Sequence, residues 1–247
     1  MKPTISPVGD CAISIDFGQV IDPKINRQIR QVIEQIKVLQ LDGIIELVPT
    51  YCALLVQYDA MVYTYSDICR ILDPILQESV TDSVIERVMI VEMPTVYGGE
   101  FGPDLGFVAS YNHISEAEVV SIHSGTDYLV YMLGFIPGFT YLGGMDPRIA
   151  TPRLSSPRTL IPAGSVGIAG EQTGTYPSDS PGGWQIIGRT PVTMYDMSKK
   201  QAALLQAGDY VRYVSINENE FHRIKLLGSN YIPSMYEVEV GELRGYK

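Results

Sequence analysis

Residues 134–191 read GFIPGFTYLGGMDPRIATPRLSSPRTLIPAGSVGIAGEQTGTYPSDSPGGWQIIGRTP. Glycine and proline are dense here, yet Phe135, Phe139, Tyr141, Tyr176 and Trp184, the single tryptophan, punctuate the stretch. Flexible linkers lack such large apolar groups. Short apolar runs at 159–162, 165–169, 184–188 and 192–196 lie between turn residues, which predicts many short strands closing into a β-barrel. Glycines beside aromatics and arginines suggest tight turns that bring backbone close to a ligand or partner. Turn geometry in a barrel wall would place the same glycines.

Upstream, DYLVYML (127–133) reads as a strand, and Ser115 with Glu118 reads as a capping box opening a short helix closed by Gly125. Downstream, Lys199–Ala207 is expected to be a short helix, and Tyr210–Ile216 and Tyr236–Val240 are expected to be strands. The first 93 residues have a different texture. CAISIDF (11–17) is a strand pattern. Asp22 before Pro23 predicts a helix start, and Ile25, Ile29, Val32, Ile33 and Ile36 follow at helical spacing. Strands are expected at 44–48 and 51–58. Ser66 is expected to cap a second helix, interrupted near Pro74, and a further strand is expected over 84–92. This β-α-β-β-α-β order predicts an α+β ferredoxin-like sandwich over residues 1–93, followed by a mainly β domain over 94–247.

Composition narrows the function. The chain has 247 residues, 45% of them hydrophobic and 19% charged, enough for a sizeable core. A net charge of −10 opposes a broad phosphate-backbone contact, so no nucleic-acid partner is expected. The three cysteines form no CxxC and read as buried thiols. The three histidines form no zinc signature, so no metal site is expected. No secretory h-region and no run of 18 apolar residues is found, which predicts a cytoplasmic, membrane-free protein.

Candidate site residues follow from chemistry. Ser180-Pro-Gly-Gly-Trp184 joins a tight turn to a flat apolar wall, so Trp184 either lines a ligand or plugs the barrel core. Arg158 and Arg189 sit on rigid turns, where a guanidinium either captures a carboxylate or phosphate or makes a surface ion pair. Arg148 and Arg153 are expected to face solvent. The Phe135-Ile-Pro137-Gly-Phe139 tip is a buried corner or a partner-covered patch. His123 is a general acid–base candidate or a satisfied structural histidine. Gly164-Ser165-Val-Gly-Ile-Ala-Gly170 fits neither a P-loop nor a dinucleotide motif, and Ser165 is not in a nucleophile elbow.

GFIPGFTYLGGMDPR, SPRTLIPAGSVGIAG, QTGTYP and SPGGWQIIGRTP together resemble the family of 5-oxoprolinase B components, one of the subunits of that enzyme. The family overlaps the Kip-type histidine-kinase inhibitors and the proteins similar to the first subunit of allophanate hydrolase. The likeness is strongest over about Tyr97–Asp209 and weaker over the N-terminal half. The resemblance implies a cyclophilin-like barrel after the α+β domain, and a partnership with the C and A components of 5-oxoprolinase. With them, the family's system converts 5-oxo-L-proline to L-glutamate using ATP. The chain lacks a P-loop, so ATP is expected at a partner or a shared site. It lacks a biotin-attachment motif too, so the carboxyltransferase likeness is structural.

On this reading Arg158 or Arg189 pairs with the substrate carboxylate, Trp184 or Tyr176 covers the ring, and His123 is the proton-transfer candidate. Backbone N–H groups around Gly164 and Gly182 would hold oxyanion charge. Tyr141, Ser165, Gln172, Ser180 and Gly183 complete the expected substrate lining, and Phe135, Pro137 and Phe139 the expected partner contact. The alternative function is a binding module that blocks autophosphorylation of a sensor histidine kinase.

Overall fold

The computed structural model describes residues 3–77 and 87–245. The chain divides into two compact units, Met1–Val84 and Ile85–Lys247.

In the first unit, strands β1 (Thr4–Pro7) and β2 (Ala12–Asp16) form an antiparallel pair, followed by helix α1 (Pro23–Val38), strands β3 (Ile44–Pro49) and β4 (Ala53–Tyr58), and helix α2 (Tyr65–Gln77). Asp22 caps α1 as its sequence predicts, accepting from the Lys24 N–H at 2.8 Å, with Pro23 in the first turn. The cap of α2 is Thr64 rather than Ser66: Thr64 Oγ1 accepts from the Asp67 N–H, and Asp67 Oδ2 accepts from the Thr64 N–H. Pro74 lies within α2, which continues to Gln77. The apolar stripes Ile29-Val32-Ile33-Ile36 and Ile68-Leu72-Leu76 bury against Ile13, Ile15, Leu54 and Val56 on one face of the sheet. Each such side chain contributes about 1.5–3 kcal/mol.

The sheet order is β1-β2-β4-β3, all antiparallel. This corrects the expected β-α-β-β-α-β sandwich. The strand expected over 84–92 begins outside the described residues, and from Arg87 it forms β5 (Arg87–Tyr97) in the second unit's sheet. The position beside β2 is taken by β1, a hairpin partner one short turn away, which needs no long crossover. The boundary expected at 93/94 therefore falls inside a strand. Pro94 removes one backbone donor, but its neighbours Met93, Thr95 and Val96 are buried and keep β5 paired with the later strands Tyr210–Ser215 and Gln185–Arg189.

The second unit is a nearly closed, barrel-like sheet. Its strands are β5, β6 (Asp127–Leu133), β7 (Thr140–Gly143), β9 (Ser165–Ala169), β10 (Gln172–Thr175), β12 (Gln185–Arg189), β13 (Tyr210–Ser215) and β14 (Met235–Glu239). The order is β10-β9-β12-β5-β13-β6-β7, with β14 added to β5, and the two end strands β7 and β10 lie against each other. β8 (Arg158–Ile161) and β11 (Ser180–Gly182) form a separate two-stranded ribbon. Helices α3 (Leu105–Tyr111) and α4 (Glu116–Ser124) pack Leu105, Val108 and Val119 into the main core with Met93, Tyr128, Val130, Ile168, Ile187 and Tyr213. The Ser115–Glu118 capping box forms as predicted. Helix α5 (Glu218–Leu227) follows β13.

Two expectations fail in physical detail. Lys199–Ala207 is not helical: Asp196 N donates to Ala202 O and Leu204 N donates to Met194 O, so the backbone groups are spent on a ladder. The cysteines are not buried: Cys11 is exposed, and Cys52 and Cys69 are half-buried. No helix among the described residues is long and apolar enough to cross a membrane.

Candidate functional site

β9 and β12 alternate between two cores. Val166, Ile168 and Ile187 enter the main core, whereas Ala169, Trp184 and Ile186 join Phe139, Ile161 and Tyr176 in a second cluster on the opposite face. Trp184 therefore does not plug the barrel interior. Its indole rests on Gly174, where an added Cβ would lie 3.2 Å from the ring, and the Trp184 Cβ packs over Gly167 at the same distance. Two neighbouring strands thus supply a flat seat because neither carries a side chain there. Phe139 and Tyr176 meet the indole edge-on at 5.7 and 6.0 Å, and Tyr141 meets Phe139 at 5.2 Å. The ribbon β8–β11 closes over this cluster. Gly182 is required there, because a Cβ would collide with the Tyr176 hydroxyl. Burial pushes the Tyr176 phenol pKa up, opposed by the nearby Arg153 and Arg158 charges.

The arginines divide sharply. Arg158 pairs with Asp104 at 2.7 Å and donates to the Trp184 carbonyl at 3.3 Å, while Asp104 also accepts from the Ile186 N–H. Its guanidinium is a structural rivet, which removes Arg158 as the expected carboxylate binder. Arg189 donates its Nε to the Ala163 carbonyl at 2.8 Å. By strand register it shares the Trp184 face, but Ile186 stands between them. Arg153, expected to face solvent, is exposed, yet its Cζ lies 6.0 Å from the Trp184 ring centroid. Arg148 is exposed and paired with Asp146.

His123 is sealed from solvent with both ring nitrogens hydrogen-bonded, a structural placement rather than that of a proton-transfer group. It is fully buried; Nδ1 lies 2.8 Å from the Tyr97 hydroxyl and Nε2 lies 2.8 Å from Thr173 Oγ1. Thr173 spends its proton on the Gly167 carbonyl, so it accepts from Nε2–H, and Tyr97 donates to Nδ1. Burial pushes the His123 pKa down to about 3. A folded pKa below the ordinary value of about 6.5 favours the neutral form, so this stabilisation is complete above about pH 6.5 and is lost as pH falls toward 3. We expect roughly 2 kcal/mol to be lost by pH 5. Melting temperatures across pH 5–7 check this: His123→Gln should flatten the slope, and an unchanged slope would contradict the assignment.

The backbone donors around Gly164 are also committed. Gly164 N–H donates to the Tyr176 carbonyl at 2.7 Å, and Gly164 holds φ +83° where a Cβ would collide with the Thr190 carbonyl. It is a structural turn, not an oxyanion donor. Ser165 is buried beside it, with its N–H donating to Pro162 O and its carbonyl accepting from Tyr176 N. Gly183 accepts from the Leu154 N–H at 2.7 Å. Gln172 is half-buried at the start of β10. Ser180 Oγ and Gln185 Oε1 are buried without a hydrogen-bond partner among the described residues.

The 134–139 tip separates into two roles. Phe139 is 3% exposed and belongs to the aromatic cluster, which corrects its expected partner contact. Phe135 is 64% exposed and held at φ +67°, with Ile136 N–H donating to Gly134 O at 2.8 Å. That is a strained γ-turn around a bulky residue. Pro137 is exposed beside it. A groove of about 610 Å³ lies elsewhere, lined by Ser215, Ile216, Asn217 and Glu220. No group of three His, Cys, Asp or Glu among the described residues is placed to hold a metal ion.

Asp104, Gly174 and Gln185 are residues that the sequence did not single out, and Arg153 and Gly167 were given no role at the site. Asp104 carried no signal, because its partner is 54 positions away. The glycines carried a weak one, at alternate positions of adjacent strand patterns.

These features define a carboxyltransferase-type architecture: the family described as carboxyltransferase domain, subdomain C and D matches residues 3–205. The fold is similar to that of K. lactis urea amidolyase, with a TM-score of 0.78 at 23% identity, covering 96% of this chain and 16% of that one. Within this class the chain belongs to the family of 5-oxoprolinase B components. It is 45% identical to the B component of the Bacillus subtilis 5-oxoprolinase over 231 residues, 90% of this chain and 96% of that one. It is 51% identical to the Escherichia coli O157:H7 protein of the same name over 128 residues, 52% of this chain and 59% of that one.

Proposed function

We propose that this chain is the B component of an ATP-dependent 5-oxoprolinase, acting in the cytoplasm with the A and C components to open 5-oxo-L-proline to L-glutamate. The observation that carries the reading is the 45% identity to a 5-oxoprolinase B component across nearly the whole of both chains. On this reading the barrel is cyclophilin-like.

The chemistry sets the demands. A lactam amide is resonance-stabilised, so its carbonyl must be activated before water adds and the C–N bond breaks. Phosphoryl transfer from ATP to the carbonyl oxygen, releasing ADP, meets that need. Water then adds to the activated carbon, the C–N bond breaks with the nitrogen taking a proton, and phosphate leaves. ATP is held by a partner or a shared site. On this reading the half-buried Tyr141 and the exposed Arg153, both seated on the buried cluster of Phe139, Tyr176 and Trp184, are this chain's contribution to the substrate site.

The exposed Phe135 and Pro137 are the contact to the C component. Phe135→Asp should change stability by less than about 0.5 kcal/mol, as for other exposed positions, yet reduce co-purification with the C component. Phe139→Asp should instead cost about 3–5 kcal/mol, because it buries a carboxylate where an aromatic ring packed. Undiminished co-purification of the folded Phe135 variant would remove the tip from the interface.

The test of the function is to isolate the tagged chain with its bound partners and assay glutamate formation from 5-oxo-L-proline and ATP. Glutamate formed only with ATP supports the proposal. No turnover by an intact complex would overturn it.

A further inference from the structure

We propose that Arg153, poised over the Trp184 indole, is the residue that receives the carboxylate of the bound ligand. Three observations carry this. First, the ion pairs among the described residues of this unit engage Arg87, Arg148, Arg158, Arg212 and Arg223, but not Arg153. Arg189 and Arg244 also lie outside these ion pairs, and Arg189 is instead bonded to the Ala163 carbonyl. Second, the backbone is pinned on both sides of it. The Pro152 carbonyl accepts from Gln185 Nε2 at 2.9 Å, and the Leu154 N–H donates to the Gly183 carbonyl at 2.7 Å. Thr151 is bridged to Gly170 one residue further back. The side chain is exposed, but its Cα is fixed, so less ordering is needed when an anion arrives. Third, the guanidinium stands at the aromatic face, 6.0 Å from the Trp184 centroid. The indole is 6% exposed, so a ligand meets the guanidinium at the rim of the cluster, where a planar fork suits bidentate capture of a carboxylate.

The competing arginines are placed less well. Arg158 is neutralised by Asp104, and Arg189 is tethered to Ala163 with Ile186 between it and the indole. The identity of the ligand as 5-oxo-L-proline rests on the proposed function; the carboxylate site does not.

The chain's single tryptophan makes the test direct, because its emission reports on this site alone. The full chain is titrated with 5-oxo-L-proline, with 2-pyrrolidinone, which has the ring and no carboxylate, and with acetate. 5-Oxo-L-proline should shift the emission saturably, and 2-pyrrolidinone should bind at least about tenfold more weakly. Arg153→Ala should weaken 5-oxo-L-proline about 10- to 100-fold while leaving 2-pyrrolidinone unchanged. Arg153→Lys should recover part of the loss. Equal binding of 5-oxo-L-proline by wild type and Arg153→Ala would overturn the assignment, as would a loss produced by Arg189→Ala instead. No saturable response to any carboxylate would overturn it too. Acetate binding as tightly as 5-oxo-L-proline, with both lost in Arg153→Ala, would uphold the carboxylate site and count against the substrate reading.

Discussion

Arg212→Met is expected to destabilise the second unit by about 3–5 kcal/mol, the cost of leaving a buried carboxylate without its partner. Arg212 on β13 and Asp127 on β6 face each other in register, and their side chains pair through two bonds of 2.6 Å. Both residues are buried, at 7% and 6% exposure. Asp127 also accepts from the Arg244 N–H, and Arg212 donates to the Tyr236 hydroxyl, which donates in turn to Glu92. One ion pair thus ties β5, β6, β13, β14 and the segment near Arg244 together. Replacing both members, as in Arg212→Met with Asp127→Leu, should recover much of the loss, because the desolvation cost disappears with the charges. Chemical denaturation measures both variants. A loss below about 1 kcal/mol for the single change would place the pair among solvent-screened bridges.

Trp184→Ala carries a similar expected cost, about 3–5 kcal/mol, for a different reason. The indole is 6% exposed and touches Phe139 and Tyr176 as well as the seat formed by Gly167 and Gly174. No neighbouring side chain on the two glycines can fill the space it leaves. Trp184→Phe should cost less, since Phe retains the edge-on ring contacts. Urea denaturation followed by circular dichroism gives both values. If Trp184→Ala loses less than about 1 kcal/mol, the cluster is loosely packed and cannot be the rigid support that the site requires.

Local signals were readable wherever a backbone group is satisfied within a few residues. Asp22 and Pro23 start α1, Ser115 and Glu118 start α4, and Asp127–Leu133 is a strand with the bounds its pattern suggests. Signals that depend on distant partners were not readable. The run over 84–92 looks like a strand, but nothing local says which sheet takes it; the partners that do, β13, β14 and β12, lie about a hundred or more positions later. Tyr176 and Trp184 were legible as neighbours, because large apolar groups in a turn-rich stretch have few other uses, whereas Phe139, read as a partner contact, joins their cluster. The charges at the site were not legible. Whether Arg153, Arg158 or Arg189 is free depends on where Asp104 and Ala163 fall, and the sequence places neither.

The most direct test of the account is an omission assay on purified components. Phosphate release from ATP is followed with the A and C components of 5-oxoprolinase, with and without this chain, in the presence and absence of 5-oxo-L-proline. The account predicts phosphate release that depends on both the chain and 5-oxo-L-proline, with glutamate formed alongside. Full, substrate-dependent turnover by the A and C components alone would contradict it.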